Sequence, residues 1–325
     1  MRSCERWNEP STLSRTMPSK SSSTFRITLP ATSANLGPAF DAAALAMNFF
    51  IKISAQASGE FSIAAKGRDE EICGKIENHL ILETYREVLD SAGRKVTPLA
   101  LRIENDIPIG KGCGSSAAAR LGGIALAVHF GRLHWNDARI IGEASRREHH
   151  PDNASACWMG GLTVARMSGE SEAQVAVIRP KGKWPLLLAI PDQPLSTEKA
   201  RRVLPAEYSR ADAVTNIQNS MLLLAAFTLG RPDFLSAALE DRIHQPYRAS
   251  LCPLLPCMQE LKGQAGILGA ALSGAGPSVL MFLDPRASLT KAYKTTASQI
   301  AQRGLTAELI PTSITPLGGK IRSQV

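Results

Sequence analysis

The stretch Pro108-Ile109-Gly110-Lys111-Gly112-Cys113-Gly114-Ser115-Ser116-Ala117-Ala118 organises the reading of this chain. Its glycines recur at every second position, which lets backbone N–H groups turn inward and approach an anion closely. Leu99–Glu104 before it has strand composition, and Ser116–Phe130 after it, rich in Ala and Gly, reads as a long helix. A glycine loop opening into a helix N-terminus favours a phosphate group through unpaired N–H groups and the helix dipole. Ser115 and Ser116 add hydroxyls for phosphate or a metal ion. The loop lacks the Gly-Lys-Ser/Thr ending of a Walker A motif, and its third glycine comes too early for a dinucleotide fingerprint. Alone, it is also compatible with a tight turn before a closely packed helix.

Working outward, strand-like stretches at Phe25–Leu29, Phe49–Ala55 and Phe61–Ala65 precede a helical pattern over Ile76–Ala92. A second helix over Asn136–Arg147 follows the long one and ends before His149-His150-Pro151-Asp152-Asn153. Strands are expected at Leu162–Met167, Ala173–Ile178 and Leu186–Ile190, with Pro180–Pro185 reading as a hinge. Helices between Ser196 and Gly263 lead to strands near Leu268–Leu272 and Ser278–Leu283, a helix over Ala287–Arg303 and a strand over Leu305–Ile310. Strands and helices mix without a βαβ repeat, so the fold class is α+β with two lobes. The expected division is a disordered tail at 1–23, an N-terminal lobe at 24–182 and a C-terminal lobe at 183–325.

Composition narrows the function. The 325 residues are 44% hydrophobic and 20% charged, a globular profile, and no apolar run reaches the length of a membrane span. The net charge of +8 suits an anionic partner, but the basic residues are scattered and aromatics make up only 5%, against a nucleic-acid platform. Six cysteines without regular spacing point to reduced thiols and a cytoplasmic setting, and Cys252 and Cys257 lack the second ligand pair of a zinc site. The tail carries seven Ser and two Pro but no apolar core of a secretory signal.

Two further segments carry polar chemistry. Pro30–Asp41 gathers Thr32, Ser33, Asn35 and Asp41 in a turn-prone stretch that suits a small polar substrate or an Asx turn. Ser273-Gly274-Ala275-Gly276-Pro277-Ser278 is a second glycine-rich turn, between two apolar strands, and reads as a hairpin or as the other side of a ligand clasp.

Taken in order with His150–Ala154, Gly160-Gly161, Ser196–Pro205 and Asp241–Arg248, these segments resemble the GHMP kinase superfamily and, within it, the homoserine kinase family. The resemblance runs from residue 24 to about 310. It implies a two-lobe GHMP kinase fold, with ATP and Mg²⁺ at the phosphate loop and transfer of the γ-phosphoryl group to the side-chain hydroxyl of L-homoserine, a step of threonine biosynthesis. It also implies a homodimer. Asn35, Asp41 and Asn153 match substrate-contacting positions, and Arg201 and Arg248 match the arginines that hold the carboxylate. Thr197, one helical turn before Arg201, joins Asn153 and Arg201 as a catalytic candidate. Pro108, Gly110, Lys111, Gly112, Cys113, Gly114, Ser115, Ser116, Ala117 and Ala118 match the ATP loop, with Ser273, Gly274 and Gly276 opposite and Asn78 on the adenosine side.

These roles suit the chemistry. A zwitterion needs planar cations for its carboxylate and oxygen acceptors for its ammonium, and arginine forks bind carboxylates bidentately. Mg²⁺ takes one or two oxygen side chains besides phosphates and waters. Ser116 is expected to supply one, and Glu143, aimed from mid-helix, is preferred over Glu148 for the other. His150 is read as structural, ordering the loop around Asp152 and Asn153. No side chain stands out as an essential base, so direct attack by the substrate hydroxyl is expected. Ala39 and Ala44 stand where relatives usually carry Gly, and Cys113 suggests thiol sensitivity. A GHMP-type kinase of a mevalonate- or sugar-like alcohol, or a non-catalytic nucleotide- or RNA-binding protein, are the alternative readings.

Overall fold

The computed structural model describes residues 24–319, so the tail expected at 1–23 lies outside the described residues. The first lobe holds β1 (Phe25–Ala34), β2 (Ala43–Ala57), β3 (Ser62–Gly67), α1 (Glu70–Cys73), α2 (Leu80–Ser91), β4 (Leu99–Asn105), α3 (Ser115–Phe130), α4 (Asp137–Glu148), α5 (Asp152–Met159), β5 (Leu162–Met167) and β6 (Ala173–Ile178). Its sheet runs β3-β4-β2-β5-β6, and β1 pairs with β2. The second lobe holds β7 (Pro185–Ile190), α6 (Thr197–Arg202), α7 (Arg210–Leu229), α8 (Leu235–Ala238), α9 (Gln245–Arg248), α10 (Leu254–Gln259), β8 (Ile267–Leu272), β9 (Val279–Leu283), α11 (Leu289–Gln302) and β10 (Glu308–Ser313). Its antiparallel sheet has the order β10-β7-β9-β8.

Helix α3 is the axle of the first lobe. Every residue from Leu121 to Ala127 is buried, as expected of a helix with no polar stripe. Leu82, Tyr85, Val88 and Leu89 of α2 join Leu121, Ile124 and Ala125 of α3 in the same core. The two backbones come close at Gly123, where a Cβ would lie 2.5 Å from the Ile81 carbonyl oxygen. That contact is why the long helix is rich in small residues.

The second sheet is covered on both faces. Leu187, Ala189 and Met281 pack with Leu255, Met258 and Ile300, while Leu186, Leu188 and Phe282 join the larger core with Phe227 and Trp184. Burial of both faces produces the continuous apolar run of β7.

Three elements differ from the sequence expectation. β1 continues past Leu29 to Ala34 through a bulge at Pro30/Ala31, so Thr32 and Ser33 lie on a strand. Asp152–Met159 forms a helix rather than a loop. The last strand occupies Glu308–Ser313 instead of Leu305–Ile310, and Pro311 is tolerated because β10 is an edge strand. Residues 314–319 then return to the first lobe: Ile314 bridges Met47, and the Thr315 N–H donates to Ala46 O at 2.9 Å.

Candidate active site

The phosphate loop is fastened on two sides. The Thr32 N–H on β1 donates to Cys113 O at 3.0 Å, and the Ser273 hydroxyl donates to Gly112 O at 2.7 Å. Gly110, Gly112 and Gly114 all have positive φ, at 70°, 78° and 71°. The tightest approach is at Gly114, the N-cap of α3, where a Cβ would sit 1.8 Å from Thr32 Oγ1. The loop thus presents backbone to a ligand with the α3 N-terminus behind it.

On one side of the loop lies an apolar cavity of about 390 Å³, walled by Ile72, Ile81, Ile103 and Ile107 and reaching Ser115 and Ser116. Asn78, just before α2, has a φ of 53° and lines this cavity with His79. The cavity has the size and lining of a site for a flat aromatic group.

On the other side, a polar cavity brings together Asn35, Asp41, Asn153, Thr197, Arg201 and Arg248 with Gly110, Gly112, Gly114, Ser115, Ser116, Gly274 and Gly276. Residues far apart in the chain therefore converge on one space. Arg248 is 1% exposed; its Nε donates to Ala200 O at 2.9 Å and its Nη1 lies 3.1 Å from His244 Nδ1. Burial, with Arg201 nearby, lowers its pKa to about 10, so it stays charged at neutral pH. Both cations lie against the Phe40 ring, with the Arg201 and Arg248 guanidinium carbons 5.4 and 5.3 Å from its centroid.

Asp41 and Asp152 line the same cavity. One oxygen of Asp152 accepts from His150 Nδ1 at 2.5 Å and from the Asn153 N–H at 2.6 Å. The other, Oδ2, is buried without a hydrogen-bond partner. An unpaired buried carboxylate oxygen is costly and marks a place for a cationic donor. Asp41, His150 and Asp152 bring one ligand atom each within 4.8 Å of one another. Burial acts to lower the His150 pKa, but Asp152 outweighs it and the net shift is upward.

The geometry alters several sequence expectations. Glu143 does not face the loop. It is buried among Arg139, Arg146 and Arg147, with Arg146 Nη2 at 2.8 Å. Burial acts to raise its pKa, but the Arg146 and Arg147 partners bring it below the ordinary value. Glu148, at the end of α4, takes the position expected of Glu143: its Oε1 accepts from Ser116 Oγ at 2.7 Å and from Arg120 Nε at 2.6 Å. An oxygen-only pair of this kind suits Mg²⁺.

Lys111 contributes backbone to the loop, while its ammonium turns to the carbonyls of Pro191 and Asp192, at 2.9 Å from the former. The Cys113 thiol is fully buried and burial pushes it up to about 12, which argues against the expected thiol sensitivity. The Asn35 side chain is committed to structure: its Nδ2 donates to Gly274 O at 2.8 Å and its Oδ1 accepts from the Asp41 N–H at 2.9 Å. Asn153 Oδ1 accepts from Thr32 Oγ1 at 2.6 Å. Sequence reasoning passed over Asp152 Oδ2, Phe40 and His244 as site residues, since only the folded neighbours of an Asp, a Phe or a His show what it does.

The chain matches the family models described as GHMP kinases N terminal domain over residues 79–161 and GHMP kinases C terminal over residues 223–301. It is 44% identical over 269 residues to a homoserine kinase of Solibacter usitatus, covering 82% of this chain and 87% of that protein. It is 33% identical to a homoserine kinase of Desulfitobacterium hafniense, covering 91% and 99%. Among solved structures it resembles a homoserine kinase from Cytophaga hutchinsonii, with a TM-score of 0.76, 20% identity and coverage of 93% and 98%. It also resembles a mevalonate kinase of L. major in complex with R-mevalonate, with a TM-score of 0.69, 14% identity and coverage of 93% and 99%. At these identities the structural likenesses speak for the fold, a two-lobe α+β architecture.

Proposed function

The chain belongs to the homoserine kinase family of the GHMP kinases, and from that premise we propose that its cavity transfers the γ-phosphoryl group of MgATP to the side-chain hydroxyl of L-homoserine. The product is O-phospho-L-homoserine, on the route to threonine. The observation that carries this reading is that one cavity beside the phosphate loop is lined by Arg201 and Arg248 together with Asp152, whose buried Oδ2 has no hydrogen-bond partner. Cations and a free carboxylate oxygen in one cavity complement an amino acid zwitterion. A mevalonate-like acid would satisfy the arginines and offer Asp152 Oδ2 a neutral hydroxyl in place of a cation. A neutral sugar could hydrogen-bond to both sides but would bring no charge to either.

In this reading the loop N–H groups and the α3 N-terminus hold the phosphates, and the apolar cavity by Asn78 takes the adenine. Ser116 and Glu148 would hold Mg²⁺, which neutralises phosphate charge when bound. Arg201 and Arg248 receive the substrate carboxylate, and Asp152 Oδ2 with Asp41 receives the ammonium. Asn153 and Thr197, which line this cavity together with the loop, align the attacking hydroxyl.

Phosphoryl transfer through a loose transition state depends chiefly on such positioning, and no essential base is assigned. His150 orders the loop through its hydrogen bond to Asp152. The expected homodimer remains part of this proposal. Val214, Ile217 and Met221 on the outer face of α7, exposed at 46%, 59% and 65%, offer an apolar surface for it.

The test is ADP release by the purified protein with MgATP, comparing L-homoserine with L-serine, mevalonate and galactose. Turnover with homoserine alone is expected. Turnover with another alcohol overturns the substrate. Silence across the panel with ATP still bound returns the chain to a nucleotide-binding role.

A further inference from the structure

His244 takes no part in the chemistry above, yet it is fully buried at the junction of two substrate-binding elements. Its Nε2 lies 2.8 Å from the Gly37 carbonyl oxygen and its Nδ1 lies 3.1 Å from Arg248 Nη1. A carbonyl oxygen only accepts, so Nε2 must carry the proton. A guanidinium only donates, so Nδ1 must present its lone pair. The two partners therefore select one neutral tautomer. The Asp241 carboxylate lies 3.5 Å from Nε2, but its oxygens accept the Ile243, His244 and Gln245 N–H groups at 2.9, 2.9 and 2.6 Å.

The imidazole also stacks on Phe40, with centroids 5.2 Å apart and an interplanar angle of 27°. Arg248 is held by its Nε on Ala200 O and its Nη1 on His244, and among the described residues no protein hydrogen bond takes Nη2. Arg248 lines a cavity together with Asp41 and Arg201.

We propose that His244 is the positioning residue for Arg248, aiming the free edge of its guanidinium at the substrate carboxylate and tying that aim to the loop bearing Phe40 and Asp41. This inference rests on the reading that Arg248 binds a carboxylate. Burial, which lowers the His244 pKa to about 4, keeps the ring neutral through the working pH range.

Two substitutions separate the two hydrogen bonds. His244→Gln places a donor near the Nε2 position and loses the acceptor for Arg248, whereas His244→Asn places an acceptor near Nδ1 and loses the donor for Gly37. The readout is the kcat/KM preference for L-homoserine over 3-aminopropan-1-ol, which has the same ammonium and hydroxyl but no carboxylate. In His244→Gln this preference is expected to fall about tenfold through the homoserine KM, with kcat and the ATP KM within about twofold of wild type. His244→Asn is expected to retain the preference.

A folded His244→Gln enzyme with wild-type preference overturns the proposal, as does loss of ATP and homoserine affinity in equal measure in both variants. Where His244→Gln does not fold, the Asn variant decides: retained preference supports the proposal and lost preference overturns it. A wild-type enzyme silent on homoserine overturns the functional reading itself, and is seen before any variant is made.

Discussion

Arg201 Nη2 donates to Asp41 Oδ1 at 2.7 Å, joining α6 of the second lobe to the turn after β1 of the first. Each group partly neutralises the other before a ligand arrives, so a substrate carboxylate reaches Arg201 by sharing it. The pair is partly exposed, at 35% and 30%, and adds little to stability. Arg201→Ala is therefore expected to raise the homoserine KM about ten- to hundredfold while changing unfolding stability by less than about 1 kcal/mol. Steady-state kinetics beside urea denaturation check both halves.

The phosphate loop gives a sharper steric test. A Cβ at Gly112 would lie 2.3 Å from Ser273 O and 2.7 Å from Gly276 O, both backbone atoms, at a φ of 78°. Gly112→Ala must separate the loop from the β8–β9 turn or strain both. The ATP KM is expected to rise at least about tenfold and Tm to fall by a few degrees. Normal ATP kinetics in this variant would show that the two loops need not touch.

Glu148 and Glu143 should separate cleanly. Glu148→Gln is expected to raise the Mg²⁺ concentration for half-maximal activity about tenfold or more, because it weakens an oxygen ligand beside Ser116. Glu143→Gln is expected to leave that midpoint unchanged. A Mg²⁺ titration of both variants at saturating ATP decides, and a shifted midpoint in Glu143→Gln alone would restore the expectation drawn from sequence.

Glu143 should reveal itself in pH dependence instead. Its folded pKa lies below the ordinary 4.5 because Arg146 and Arg147 outweigh its burial. The ionised carboxylate therefore stabilises the fold above about pH 4.5, and that contribution is lost as the pH falls through the depressed folded value. Glu143→Gln should lower Tm at pH 7, with a deficit that shrinks as the pH drops below 4.5. A deficit constant with pH would count against the ionised pair.

Cys113 offers a labelling test. Fully buried and with a pKa pushed up to about 12, its thiol presents almost no thiolate near neutral pH. Iodoacetamide at pH 7.5 is expected to leave Cys113 unmodified in the native protein and to label it after denaturation, as read by mass spectrometry. Native labelling with loss of activity would show that the loop opens far more readily than its hydrogen bonds imply.

Much of this architecture is legible in the chain. The strand, glycine loop and helix around residues 99–130 follow from composition alone, and β5 and β6 fall where the β-rich stretches at 162–167 and 173–178 place them. Local rules fail where tertiary structure removes their cost. Pro30 and Pro311 look like strand ends, yet a bulge absorbs the first and an edge position the second. The helix at Asp152–Met159 has only eight residues and begins just after Pro151, too short for periodicity to announce it. The choice between Glu143 and Glu148 depends on where three arginines point, which spacing along a helix does not reveal.

The chain joins the lobes twice, once between β6 and β7 and again where residues 314–319 leave β10 to lie against β2 and α5. A single joint would allow the lobes to twist freely about one flexible segment. With two joints, and with Leu186, Leu188 and Phe282 sharing a core with first-lobe side chains, such free twisting is prevented. The C-terminal segment is therefore a second tether between the lobes, and cutting the chain after Ser313 should widen the range of lobe orientations without removing any residue that lines the substrate cavity.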